Sequence, residues 1–320
     1  MITWLFSEPL LQPLWVMLLA ILIERLWLWP VAYHPLSFFR LLASRMADKV
    51  NRRGTDSVYQ QRLSGTLAPL VLLAPILICI GLFITLAEYP VFFDGILLLM
   101  AIYFKPVLQN LKRAENALKN NKKALARDLG ATLLLRQTDS LSPMGLSKAL
   151  TETTLLRFFY QFCTPLFWYF IGGGLAALSY RILYEFSQAW NTRQPRFRYF
   201  GQPVGMIVTA LQMLPVYLAL STLMLAENIS GALAGRRSLT RGSCFHSRIL
   251  ALAGGALKLQ LGGPAYYGGQ KRRTPKCGGN RLPQIGDIRR ARLATHKCTA
   301  ILLCLILLLS VGLFALKVGQ

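Results

Sequence analysis

RQTDSLSPMGLSKALTETTLLRFFYQFCTPLFWYFIGGG, residues 136–174, changes character halfway along. Its first half is polar and carries Arg136, Thr138 and Glu152, whereas LLRFFYQFCTPLFWYFIGGG is almost wholly apolar. An apolar run of about 20 residues is what a helix needs to cross a bilayer, so the stretch reads as a membrane boundary. Polar chemistry is expected where the two halves meet.

Composition extends that reading to the whole chain. Of 320 residues 54% are hydrophobic and 15% charged, with a mean hydropathy of +0.42, a balance that excludes an ordinary soluble domain. The formal charge of +23 comes from 36 Lys and Arg against 13 Asp and Glu. These cations alternate with apolar runs and form no single basic domain, so they report topology and not nucleic-acid binding. Cys79, Cys163 and Cys304 lie in apolar runs and no CxxC occurs, which implies no disulfide framework.

The expected fold is an all-α polytopic membrane bundle of about six spans, near 13–30, 66–87, 91–108, 158–183, 203–226 and 299–316. The first run lacks a basic leader region and a small-residue cleavage site, so it is expected to stay in place as a span. Glu24 and Arg25 sit near its end as a charge pair, with Arg25 snorkelling to the interface. Glu88–Tyr89–Pro90 is too short to be anything but the turn of a helical hairpin. Leu108, Leu111, Leu118 and Leu125 recur at roughly helical spacing among Lys112, Arg113, Lys119, Lys122 and Lys123, as in a basic helix lying on a membrane surface.

Segments 31–65, 109–157 and 227–298 hold 6, 9 and 14 Lys and Arg, whereas 88–90 and 184–202 hold 0 and 3. The positive-inside rule then predicts a multi-pass protein with three basic cytoplasmic loops, both termini outside and 184–202 opposite the basic loops. The alternative for that last loop is that 158–183 is re-entrant, buried in the bundle.

Within 227–298, LQLGGPAYYGG (residues 259–269) packs four glycines and a proline into eleven residues. Such a turn lets backbone approach a ligand and aims N–H groups at an anion, although no GxxxxGK[ST] accompanies it. Cys244 with His246 and His296 with Cys298 are soft ligands at spacings unlike those of zinc sites, and no metal ligand is assigned. His34, beside Pro35, reads as a helix-terminal residue, and no Ser-His-Asp nucleophile is evident.

Several of these pieces together resemble the CobD/CbiB family of membrane cobalamin-biosynthesis proteins, the adenosylcobinamide-phosphate synthases. They are His34–Pro35; R-x-T-x-x-L with ET at Arg136, Thr138, Leu141, Glu152 and Thr153; PLFW at Pro165 to Trp168 with Gly172 and Gly173; and LQLGGPAYYGG with IGD at Ile285 to Asp287. Tyr180, Gly201 and Pro215 also fall at the family's spacing. The resemblance covers nearly the whole chain as one integral membrane domain, and implies a bacterial inner-membrane ligase. It would use ATP and Mg2+ to join an adenosylcorrinoid carboxylate to aminopropanol or its phosphate. Membrane lipid, and a second copy or another corrin-pathway protein, are the implied partners. It further implies Glu152 and Asp287 as catalytic carboxylates, and Arg136, Thr138, Gly262, Gly263, Tyr267 and Gly268 as substrate or nucleotide contacts.

The chain also departs from the family pattern. Leu156, Arg157, Tyr160 and Gln161 stand where an EN and a DG are expected, Tyr184 to Ala189 replace an NTxDSM-like run, and Met206, Val208, Thr209 and Gln212 replace R-x-DD-x-x-N. Gln137 replaces the acid of RDT. The competing expectation is a non-catalytic sensor or scaffold, like the AmpE-type inner-membrane proteins that share the PLFW-GG core.

Overall fold

In the computed structural model, residues 11–27, 29–30, 33–51, 56–239 and 243–318 are described. Leu28 of the expected first span, residues 31–32 and 52–55 of the loop after it, and residues 240–242 of the long basic segment lie outside them. Among the described residues the regular structure is helical apart from one small β element. In order it forms α1 (Gln12–Leu26), α2 (Pro35–Val50), α3 (Val58–Leu86), α4 (Pro90–Ala101), α5 (Lys105–Lys119), α6 (Lys123–Ala131) and α7 (Pro143–Phe158). A π-helical turn, Phe159–Cys163, leads into α8 (Thr164–Ala189), followed by α9 (Gln202–Ala226), α10 (Ile229–Arg237) and α11 (Phe245–Ala256). Strands β1 (Gln260–Gly262), β2 (Ala265–Tyr267), β3 (Gln270–Arg272) and β4 (Lys276–Gly278) precede the long α12 (Ile285–Val318).

Among the described residues, five helices are long and apolar enough to cross a membrane: Val58–Leu86, Pro90–Lys119, Pro143–Ala189, Gln202–Ala226 and Ile285–Leu316. The protein is an all-α polytopic membrane protein by this measure. The expected first span is shorter: α1 has 15 residues, about 22 Å of helix, less than the roughly 30 Å of a hydrocarbon core.

Two compact units form. One is built from the residues up to Tyr103, Gln161–Gln212 and the chain from Leu303 on; the other from Phe104–Tyr160 and Met213–Leu302.

In the first unit α4 and α8 lie side by side and run the same way. Asp94 Oδ1 accepts the Gly174 N–H at 2.8 Å, and seven residues further along both helices the Ala101 carbonyl accepts Arg181 Nε at 3.1 Å. The second bond satisfies a carbonyl at the end of α4, where the helix has no further N–H to offer.

The 158–183 run does not cross straight. Gln161 donates to the Tyr184 hydroxyl at 3.5 Å and Thr164 is hydrogen-bonded to Tyr180. Residues 16 and 23 apart would stand roughly 24 and 35 Å apart along a straight helix. The chain therefore folds back, and the pairings centre on Gly172 (φ −138°, ψ 23°) and Gly173 (φ 68°, ψ −168°), where the helix breaks. Gly173 occupies a backbone region that is essentially glycine-only.

This re-entrant hairpin corrects the expected topology. Loop 184–202 does not lie opposite segment 31–65. Trp190 Nε1 donates to the Ala43 carbonyl (2.9 Å), Asn51 Nδ2 to the Arg196 carbonyl (3.0 Å) and Arg196 pairs with Asp48 (2.6 Å). Both basic segments sit at one end of the unit. Next to this end, Glu185 is buried between Arg181 (2.5 Å) and Arg40 (2.8 Å). His34 N-caps α2, its Nδ1 accepting the Leu36 N–H at 3.2 Å.

In the second unit, α5 buries Leu108, Leu111 and Leu118 and turns Lys112, Arg113 and Lys119 outward, so the expected amphipathic pattern holds over α5; Leu125, expected on the same stripe, lies on α6 and is exposed. Its apolar face is covered by protein, however, and not by a lipid surface. Glu115, 1% exposed, ties this helix to α12 through Arg292 (2.7 Å) and pairs within α5 with Lys119 (2.6 Å).

Candidate functional site

The β element is one long hairpin made of two nested ladders. Outside, Gln260, Leu261 and Gly262 pair with Gly278, Cys277 and Lys276; inside, Ala265, Tyr266 and Tyr267 pair with Arg272, Lys271 and Gln270. Gly268 (φ 52°) and Gly269 (φ 79°) close the inner ladder as a two-residue turn with φ positive at both positions, the geometry that matches strand twist. At Gly262 (φ 74°) and Gly263 (φ 97°) the chain turns from the outer ladder to the inner one. A side chain at 262 would place its Cβ 2.2 Å from the Pro275 carbonyl oxygen, so glycine is required there.

Helix α7 supplies the carboxylate that meets this turn. Ser142 caps its N-terminus by accepting the Gly145 N–H, Pro143 fits the first turn, and Glu152 lies more than two turns on. Glu152 Oε1 accepts the Gly262 N–H at 2.7 Å and Oε2 accepts from Arg136 Nη2 at 2.6 Å. Neither side chain of the ion pair is more than 12% exposed. Alongside, the Gln137 N–H donates to the Tyr266 carbonyl at 3.0 Å, which laces segment 136–138 to the hairpin.

Of the residues singled out in the sequence, Arg136, Glu152, Gly262 and Gly263 are brought together. Thr138 is buried in the same segment and its carbonyl accepts the Leu141 N–H; Tyr267 is buried at the end of β2. Gly268 is exposed at the hairpin tip. Asp287 has different partners: Oδ1 takes Arg281 Nη2 (2.5 Å) and Oδ2 takes the Gln284 N–H (2.7 Å), a capping arrangement at the start of α12. The turn's amides are engaged internally, Gly262 N–H by Glu152 and Gly263 N–H by the Pro275 carbonyl (3.3 Å).

Sequence reasoning missed Lys148, one helical turn before Glu152 in SKALTE, a spacing that puts both on one face of α7. Burial lowers its pKa; Glu152 opposes that shift, and Arg136 and Lys276 add to it. Lys148 lies in the polar first part of the Pro143–Ala189 helix, ahead of the apolar run that starts at Leu155. Cys277, in the adjacent strand, is pushed up to about 11, chiefly by burial and then by Glu152, so its thiol stays protonated at neutral pH. The cluster thus gathers three cations around a single carboxylate whose two oxygens are both in use.

Both carboxylates expected to be catalytic, Glu152 and Asp287, are saturated by arginine and backbone partners. Among the described residues no three His, Cys, Asp or Glu side chains gather in a metal-binding group. This donor set does not fit a protein-held Mg2+. The basic cluster does suit the phosphates of a nucleotide.

A family model described as CobD/Cbib protein matches residues 17–295. The cobalamin biosynthesis protein CobD of Chromobacterium violaceum is 29% identical over 280 residues, covering 85% of this chain and 89% of that protein. Its counterpart in Stutzerimonas stutzeri is 28% identical over 279 residues, with the same coverage of 85% and 89%. The cobalamin biosynthesis protein CbiB of Salmonella typhimurium is 28% identical over 189 residues, 56% of each chain. No solved structure matches.

Proposed function

The chain belongs to the CobD/Cbib protein family, and from that premise we propose that it forms an amide bond in cobalamin biosynthesis at the bacterial inner membrane. The substrates are the free carboxylate of adenosylcobyric acid and aminopropanol or its phosphate, with ATP as the energy source. A carboxylate does not react with an amine at neutral pH until an oxygen has been converted to a leaving group, and developing phosphate charge then needs fixed cations. Arg136 and its basic neighbours supply them.

One observation carries this reading. R-x-T…ET and LGGP lie 110 residues apart at Glu152 and Gly262, yet one carboxylate joins them to each other and to Arg136. Glu152 acts as a positioning residue that aims the guanidinium and fixes the turn.

The test is growth on cobyric acid of a strain deleted for its cobinamide-phosphate synthase. The wild-type chain is expected to restore growth and Arg136→Ala to abolish it at equal membrane abundance. No growth with abundant wild-type protein would sink the ligase reading in favour of the non-catalytic relative, for which the apolar replacements at Met206 and Val208 speak.

A further inference from the structure

A cleft of about 750 Å3 opens in the first unit between α1 and α4, walled by Trp15, Leu19 and Ile23 on one helix and Phe92, Ile96 and Leu99 on the other. The two helices run the same way. A Cβ built on Gly95 would stand 3.2 Å from Val16 Cγ1, and further along both chains the Tyr103 hydroxyl donates to the Trp29 carbonyl at 2.9 Å. Gln12 therefore lies at the Glu88–Tyr89–Pro90 end of the cleft and Ile23 at the other.

The Glu88 end is a membrane boundary, because α3 and the helix that starts at Pro90 are both long and apolar enough to cross and this turn joins them. The basic segments 31–65 and 184–202 lie at the opposite end of α3, whose 29 residues span about 43 Å. From Gln12 to Ile23 the cleft runs about 16 Å along α1, close to half of the roughly 30 Å hydrocarbon core. Its depth is that of one leaflet. Leu19 (52% exposed) and Phe92 (64%) flank its open side, so it is entered sideways from the lipid.

Acyl chains are as apolar as these walls, so no hydrophobic gain draws one in; walls that face an empty space lose their dispersion contacts, and a chain of matching length restores them. Selection of the lipid then falls to the mouth. Among the described residues Glu88 is the only charged side chain lining the cleft, and no Lys or Arg pairs with it. An anionic headgroup would meet a like charge there, whereas a primary ammonium can donate to the carboxylate and a trimethylated one cannot. We propose that the α1–α4 cleft holds one acyl chain of a phosphatidylethanolamine, with the lipid's ammonium on Glu88. The proposal is independent of the ligase reading.

Full-length protein in phosphatidylcholine nanodiscs tests this through Trp15, because brominated acyl chains quench an indole that they touch. A minor fraction of brominated lipid carries an ethanolamine, choline or glycerol headgroup. The quenching lost in Trp15→Phe is the signal from the cleft, since Trp27, 60% exposed, reports the surrounding lipid in both proteins. The ethanolamine lipid is expected to quench Trp15 at about threefold lower mole fraction than the choline lipid, the factor that one exposed ion pair supplies, and the glycerol lipid least of all. Glu88→Gln, at an exposed position, is expected to erase that order, and Ile96→Phe to weaken Trp15 quenching by all three lipids. Native mass spectrometry needs no tryptophan variant and gives a second readout, with phosphatidylethanolamine retained about threefold less by Glu88→Gln than by wild type.

Equal quenching of Trp15 by the three lipids, or a preference for the glycerol headgroup, would overturn the proposal. So would a Trp15 that none of them quenches, the result expected if a second copy or the chain ahead of Leu11 fills the cleft.

Discussion

Glu152→Ala destabilises the second unit by about 3 kcal/mol, because removing one partner of a buried ion pair strands the other. Arg136 would face Lys148 and Lys276 with no carboxylate among them, and the Gly262 N–H would lose its acceptor. Glu152→Gln keeps an acceptor for that amide and so costs less, but the three cations remain uncompensated. Limited proteolysis of the solubilised protein measures both, with cleavage in 259–281 expected to rise in the order wild type, Glu152→Gln, Glu152→Ala. Equal resistance of all three would show that the carboxylate does not hold the turn.

Gly174→Ala has the second large effect, and its sign separates two folds. In a straight membrane helix alanine is better than glycine by about 1 kcal/mol, so the substitution would be neutral or stabilising. In the folded-back hairpin an added Cβ meets the Asp94 backbone carbonyl oxygen at 2.4 Å and Leu97 Cβ at 2.9 Å, neither of which is a side-chain end that can swing aside. A loss of about 3 kcal/mol is expected, the upper range for overpacking. Cys163, buried in the first arm of the hairpin, reports it through a thiol-reactive fluorophore during thermal unfolding, once the exposed Cys79, Cys244 and Cys304 are changed to serine and the other buried thiols, Cys277 and Cys298, to alanine in every variant compared. Gly312→Ala, which meets nothing within 4 Å, is the control expected to leave the midpoint in place.

The membrane class was legible because burial in lipid is written in composition, and the Glu88–Pro90 turn because so short a link leaves no alternative. The hairpin was only half legible. Three successive glycines at 172–174 mark a place where an apolar helix can break, but whether it kinks or reverses depends on Asp94, 80 residues away, and on the pairing of Tyr180 and Tyr184 with Thr164 and Gln161 across the break. Charge counting misplaced 184–202 for the same reason, since it assumes that every apolar run crosses.

At the candidate site the glycines and the R-x-T…ET residues could be picked out one by one, but their meeting at Glu152 could not. Asp287 shows the limit in the other direction: IGD looks like chemistry, and Asp287 is occupied in capping α12. Lys148 was overlooked because a lysine four residues before a glutamate on a helix ordinarily reads as a solvated pair. Its position over a residue without a side chain is what sets it apart.

The most direct measurement is product formation by the purified full-length protein in nanodiscs supplied with adenosylcobyric acid, aminopropanol phosphate, ATP and Mg2+, followed by mass spectrometry. Amide product from the wild type, and its loss in Arg136→Ala protein that is still folded at the assay temperature, is the predicted result. A folded wild-type protein that leaves the corrinoid carboxylate untouched would contradict it.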